Sequence, residues 1–588
     1  MLVEGRLLPG VTVFITSRPT AQRAFELLRF QRTVEILGFF EDQIKEYVFK
    51  FCWKDKSTAR KIFDCIDSSL ELRSLCYIPV NCYIICLTLK ESFINNAEDI
   101  PKTITELYKR VVKILLWRHH PRCKSGSIPK PDRGYLIKPL PSELDDEIQK
   151  MKRLAKKGME EGKLIFDETH LTGFENVVNC GLLHQIPDKR RNYFCFLHLT
   201  LQEFLAAWCV VDDWKSIGKF LDDHRADPKW HLVIEFVAGL VGDSKKENKR
   251  LNIDDVQMRL AKWVLHLKSS YGSKTLGFLG IKCLYELQDW DVIRSVCAKL
   301  QSATEEISIS DVSFTPVDCN ALFKFLSECR HIKKIVFDKC KMLDNHSFVS
   351  NNASCNLTSI SFLRCDFGNY FLKHFSDALK SENCPITELL IGGSNLSNKS
   401  TEYVSEALKS SNCKLTKLTY ETTKISTGGV EVLSEALKSK NCKLTELSIY
   451  NTKLEHNSSK YLSEALQSED CKLTKLTIHN YKMSDHFTKC IIEALSNPFC
   501  KLTELSICGS YTTDLCIRYL SEALKSENCK LTKLNVSILQ ITNEGMKDFS
   551  EALESENCKL TSLRINSSNL PDLCVEYLSK ALKRRTAN

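Results

Sequence analysis

Eight cysteines stand 29 residues apart, at Cys355, Cys384, Cys413, Cys442, Cys471, Cys500, Cys529 and Cys558. A period of that length, sustained over so many turns, restricts this part of the chain to a stacked-repeat architecture. The words around each cysteine repeat as well: CKLTKLTY from Cys413, CKLTELSI from Cys442, CKLTKLTI from Cys471. A second phrase, LSEALKS, recurs at Leu433–Ser439 and Leu520–Ser526. Leu447 and Ile449 fall on one face of a short strand by the period-2 rule. Leu433, Ala436 and Leu437 fall at i, i+3 and i+4, one face of a helix. A lone strand and helix cannot bury these faces, whereas stacked neighbours can, at about 1.5–3 kcal/mol per buried leucine. The spacing predicts a parallel sheet on one side of a curved stack and helices on the other.

Strand residues that point away from the helices line the concave face. One such position runs Glu388, Lys417, Glu446, Lys475, Glu504, Lys533. The alternating sign predicts a self-neutralising ladder worth about 0.2–1 kcal/mol per pair, and no cationic groove. Another outward position varies through Tyr450, His479, Cys508 and Asn566, the candidate ligand-binding residues. The repeated cysteine, with no C-x-x-C partner, reads as a small half-buried residue closing each turn, not as a metal or disulfide ladder. The last unit ends in Lys583-Arg584-Arg585, a polar finish suited to a capping helix. Such a surface is built to bind a protein or other macromolecule, not to catalyse a reaction.

The 588 residues are too many for a single core. A net charge of 82 − 73 = +9 over that length gives no indication of nucleic acid or membrane as partner. Met1 to Gly10 lack the features of a signal peptide, and no apolar run reaches membrane-spanning length. These absences predict a cytoplasmic protein whose 27 cysteines stay thiols, so the sequons at Asn356 and Asn535 read as chance.

The first 300 or so residues carry no repeat. Val11–Ile15 and Thr33–Leu37 read as buried strands from their β-branched and apolar content. Pro79 opens an apolar helix, and Pro101–Thr105 introduces another through Leu107, Val111, Ile114 and Leu115. A polar, proline-rich stretch from His119 to Leu140 reads as a loop. Phe194–Ala207, FCFLHLTLQEFLAA, reads as a strand passing into a helix. Cys82 and Cys86 read as core, and His119, His120 and Cys123 lack a fourth metal ligand nearby.

The repeats resemble the leucine-rich-repeat family, in its ribonuclease-inhibitor-type form, over about residues 303–588. That family's pattern places Asn or Cys near the end of each strand. Here Cys365 stands there once, then Ser394, Thr423, Thr452 and Ser510, while Tyr481 and Leu539 fit poorly, which implies a looser inner ladder. Two degenerate repeats come first, with Ile332, Ile335 and Phe337 on one strand.

The first half resembles the NACHT module of NOD-like receptors, a branch of the signal-transduction ATPases. ITSRP (Ile15–Pro19) resembles the sensor strand, and ILGF (Ile36–Phe39) the exit from the nucleotide-binding domain. SLCYIPVNCYIIC (Ser74–Cys86) resembles the first helical domain. TELYKRVV from Thr105, LAKKGM from Leu154 and FLHLTLQEFLAA from Phe196 resemble the winged-helix domain. The resemblance implies an α and α/β multidomain chain: a nucleotide-binding remnant (1–37), helical domain 1 (38–100), winged-helix domain (101–208), helical domain 2 (209–302) and leucine-rich repeats (303–588). It carries nucleotide contacts to Arg18 (terminal phosphate), Pro79 (adenine) and His198 (β-phosphate of ADP). The plainer alternatives are a solvated arginine, a helix-starting proline and a packed histidine.

A phosphate loop of the form G-x-x-x-x-G-K-[ST] is absent, as is an apolar strand ending in paired acids. Gly158–Lys163, GMEEGK, is one residue short and lies on an amphipathic helix pattern; Gly272-Ser273-Lys274-Thr275 lacks the loop. The chain is therefore expected to be truncated within its nucleotide-binding domain and to be no enzyme. ATP or ADP is expected of longer family members rather than of this chain. Three functions compete: a cytosolic innate-immune receptor or fragment, a ribonuclease-inhibitor-like binding protein or scaffold, and an ATPase. In the first, the repeats bind a ligand or fold back on the NACHT module, and release permits homo-oligomers.

Overall fold

The structure, a computed structural model, describes all residues except 1–10, 17–31, 33, 35, 37, 95–99, 129–134, 137, 172–180, 188–191, 247–252, 269–273, 302–303, 343–354, 369–370, 394–397, 423–424, 451–453, 455–456, 512, 570–571 and 588. Two compact units make up the chain: Met1–His266 with Leu276–Val296, and Leu267–Thr275 with Cys297–Asn588.

The first unit is built from helices whose ends follow local rules. Asp55 accepts from the Ser57 and Thr58 amides and so starts Lys56–Ser68. Pro79 begins Pro79–Ile94, where its missing N–H costs no helical hydrogen bond. Thr103 caps Ile104–His119 through the Glu106 amide. The core gathers around Tyr108, Phe204 and Phe236, whose rings meet at centroid distances of 5.2–6.0 Å. Helix Asp145–Glu161 lies close against Leu199–Asp212, since a Cβ on Gly158 would come within 2.6 Å of Gln202 Nε2 and 2.7 Å of the Phe166 ring. A small antiparallel sheet sets Tyr193–Phe196 between Phe166–Asp167 and Leu183–Ile186.

Two sequence expectations are corrected in this unit. Residues 11–16 form no strand, and Val11 and Phe14 are 56% and 87% exposed. Val34 and Ile36 are likewise exposed and outside any strand, while Thr33, Glu35 and Leu37 lie outside the described residues. β-Branched content favours a strand only where a neighbouring strand accepts its hydrogen bonds. The His119–Leu140 stretch also contains a short helix, Pro121–Lys124, begun by its proline.

In the second unit, ten parallel strands follow one another in chain order, from Glu306–Ser310 to Ser562–Asn569. Helices such as Thr427–Leu437 and Asp514–Leu524 alternate with them. Leu433, Ala436, Leu437, Leu447 and Ile449 are all at most 1% exposed, so the two predicted faces do meet. The repeated cysteines are more deeply buried than their sequence suggests, at 2–7% exposure, and burial raises the thiols of Cys413 and Cys471 to about 11.

Three further devices hold the stack. At the start of the last seven strands a threonine hydroxyl donates to the carbonyl of the threonine one unit earlier. Thr387, Thr416, Thr445, Thr474, Thr503, Thr532 and Thr561 repeat this bond at 3.0–3.3 Å. Asn441, Asn528 and Asn557 donate side-chain N–H to carbonyls at Lys409, Ser496 and Lys525, which lie at the ends of preceding helices. After several strands the backbone turns left-handed, at Asp311, Lys339, Arg364, Gly393 and Thr422, and each of these amides donates to the neighbouring strand at 2.6–3.1 Å. The family's strand-end position is filled twice, not once: Cys340 and Cys365 donate Sγ–H to Ile309 O and Phe337 O.

The expectation that every cysteine is a thiol is also corrected. Cys297 and Cys329 form a disulfide, because the ends of Trp290–Gln301 and Pro316–Glu328 bring their Cα atoms to 5.1 Å.

Candidate functional site

In the first unit, helices Glu41–Phe51, Pro79–Ile94 and Ile104–His119 enclose a cavity with the turn into Leu199–Asp212. It measures about 440 Å³, and its walls include Tyr47, Pro79, Tyr83, Tyr108, Leu197 and His198. The fold thus brings Pro79 and His198 together. Arg18 lies outside the described residues.

His198 has a local duty there. It is the N-cap of Leu199–Asp212, its Nδ1 accepting from the Thr200 amide at 3.2 Å. With Nδ1 as the acceptor, the ring N–H is on Nε2. Tyr108 donates to Asn81 Oδ1 at 3.2 Å, and burial pushes the Tyr47 phenol up to about 12. Apolar walls with a few fixed polar groups suit a flat ring. No Lys or Arg lines the cavity among the described residues, so phosphates would find only His198 there. Gly158 is a packed helical glycine and Gly162 a left-handed helix end with φ +67°, so GMEEGK forms no phosphate loop. Among the described residues no group of three His, Cys, Asp or Glu could hold a metal. Cys82 and Cys86 are fully buried.

In the second unit, the sheet face turned away from the helices forms in-register columns. Glu388, Lys417, Glu446, Lys475, Glu504 and Lys533 are direct neighbours on successive strands. Lys475 Nζ stands 3.7 Å from both Glu446 and Glu504, and Lys533 Nζ stands 2.6 Å from Glu504. Lys533, and after it Lys475, holds the Glu504 carboxyl below its usual range. The ladder expected from the alternation is therefore formed.

Tyr450, His479, Cys508 and Asn566 also fall in one column, with Ser537, which sequence reasoning passed over, between the last two. The His479 ring packs edge-on to Tyr450 at 5.0 Å, and its Nε2 is 3.1 Å from Ser506 Oγ. Burial lowers the His479 pKa, so the ring is neutral near pH 7. Asn535 Nδ2 donates to the same Ser506 hydroxyl at 3.0 Å. The strands also lengthen here, from five residues at Glu446–Tyr450 to ten at Lys475–Ser484 and eight in each of the next three. Nothing in the 29-residue period announced that widening or the cavities.

No family model matches the chain. It is 26% identical over 381 residues to the NACHT, LRR and PYD domains-containing protein 1 homolog of Danio rerio, covering 58% of this chain and 26% of that protein. Protein 12 of the same description from Homo sapiens is 26% identical over 328 residues (51% of this chain, 29% of that protein). Protein 3 from Mus musculus is 27% identical over 335 residues (50% and 30%). The chain is similar to NOD-like receptors. It spans less than a third of the length of these relatives. Its second unit is a leucine-rich-repeat solenoid, and no described helix is long and apolar enough to cross a membrane.

Proposed function

We propose that this chain is the switch-and-recognition portion of a NOD-like innate-immune receptor of the cytoplasm. Residues 38–100, 101–208 and 209–302 serve as the first helical, winged-helix and second helical domains. The solenoid recognises a macromolecular ligand on its open sheet face or restrains the helical module. The observation that carries the reading is the convergence of Pro79 and His198, from distant parts of the chain, on one cavity whose walls suit a purine ring. The chain contributes ring recognition and a histidine donor; the phosphate-binding loop and the magnesium site are not among its residues, so turnover of ATP is not proposed.

Hydrogen exchange on the purified chain tests this. Adenosine and ADP should both protect residues 79–84 and 197–201, and inorganic pyrophosphate should not. Absence of protection by saturating adenosine would sink the nucleotide half of the reading. A second reading, a ribonuclease-inhibitor-like binding protein, is favoured by the neutralised charge ladder beside the Tyr450–His479 column. It gains if adenine nucleotides leave the chain unchanged while the sheet face still binds a protein.

A further inference from the structure

The column of alternating charge is broken by Ser359 between Lys334 and Glu388, and it ends at the last strand. After Lys533 the alternation calls for a carboxylate, yet Ser562 is the residue paired with Lys533. Arg564 follows two residues later on the same strand, exposed and with no ion-pair or hydrogen-bond partner among the described residues. Lys533 and Arg564 are diagonal neighbours across the Ser562–Asn535 step, within reach of one small anion. Between them lies a cavity of about 220 Å³ lined by Lys475, Glu504, Ser506, Lys533, Asn535 and Arg564, among others. The charges in that lining sum to 3 − 1 = +2. Asn535, whose Nδ2 donates to Ser506, lines the same cavity.

We propose that this end of the sheet face is a subsite for an acidic residue of a protein partner. The partner's carboxylate sits between Lys533 and Arg564. The inference rests on the reading of this face as a binding surface and names the chemistry at one end of it. Nucleic acid fits less well. The excess positive charge lies in one pocket, while the strands before it carry alternating, paired charge, so no continuous track follows a phosphate backbone.

Fluorescence anisotropy with a labelled tetraglutamate peptide tests the subsite on the whole chain, against tetralysine and a thymidine octanucleotide. Tetraglutamate should bind, and more weakly as salt rises. Arg564→Ser should weaken it about tenfold or more, the loss of one charge-assisted contact. Ser562→Glu should weaken it at least as much without lowering the melting temperature, because the new carboxylate completes the ladder against Lys533. Glu388→Gln, at the far end, should change nothing. No tetraglutamate binding, binding indifferent to Arg564→Ser, or tighter octanucleotide binding lost with the same residues would each overturn the proposal. A protein partner lost on Tyr450→Ala and His479→Ala but retained by Arg564→Ser would also overturn it, while leaving the open face standing as the binding surface.

Discussion

Glu286 makes the first unit sensitive to pH near neutrality, and Glu286→Gln isolates the effect. The carboxyl is fully enclosed where helix Lys274–Leu287 meets the start of Ile104–His119. It accepts from the Ile104 amide at 3.3 Å, the Thr105 amide at 3.1 Å and the Thr105 hydroxyl at 2.6 Å. Burial raises its pKa from 4.5 to about 7; the Thr105 bonds oppose that rise and Glu235 adds to it, though Lys282 stands 2.7 Å from Glu235. The folded chain therefore holds a proton that the unfolded chain has released. The contribution is fully present below about pH 4.5 and is lost as pH rises through about 7. At about 1.4 kcal/mol per unit, wild type should lose about 2–3 kcal/mol relative to Glu286→Gln between about pH 5 and 8. Glutamine keeps one acceptor oxygen, which can serve the Thr105 amide and hydroxyl, and carries no proton to lose. All seven tryptophans lie at or before Trp290, so intrinsic fluorescence during urea unfolding follows the first unit alone. Wild type and variant losing stability in parallel across this range would refute the argument.

Two further outcomes concern the solenoid. Lys475→Glu places three carboxylates in line with Glu446 and Glu504, and should cost about 1 kcal/mol in urea unfolding followed by circular dichroism, less at high salt; a loss unaffected by salt would contradict the ladder. Thr422 is β-branched at φ 49°, where the preceding unit uses Gly393 at φ 64°, so Thr422→Gly should stabilise the fold by about 1 kcal/mol net of glycine's greater chain entropy, and a lower melting temperature would show that the left-handed turn is not strained.

Legibility in the sequence followed the range of the forces involved. The solenoid was legible because Leu447, Ile449, Leu433 and Leu437 recur with the periods of a strand and a helix, and each interaction spans only one unit. The charge ladder was legible for the same reason. The fate of Val11–Ile15 was not, because a strand depends on partners that its own residues do not specify. Pro79 and His198 were singled out by resemblance, but their shared cavity depends on how three helices pack, and no local pattern encodes that. The capping role of His198 was hidden for a different reason: histidine is an uncommon N-cap, and only the geometry shows its ring accepting the Thr200 amide. Ser562 was readable as a departure from alternation, yet its meaning required Arg564 standing diagonal to Lys533.

The threonine seam gives the stack a direction. Each hydroxyl is supplied by the later unit and each carbonyl by the earlier one, always 29 residues back. Excising one whole unit would bring a threonine of the next against the carbonyl of the one before, and the seam would close again. A deletion of any other length would break it at every contact it touched. Units are therefore interchangeable along this edge, and the length of the sheet face can change in whole-unit steps while the residues on its open surface vary independently.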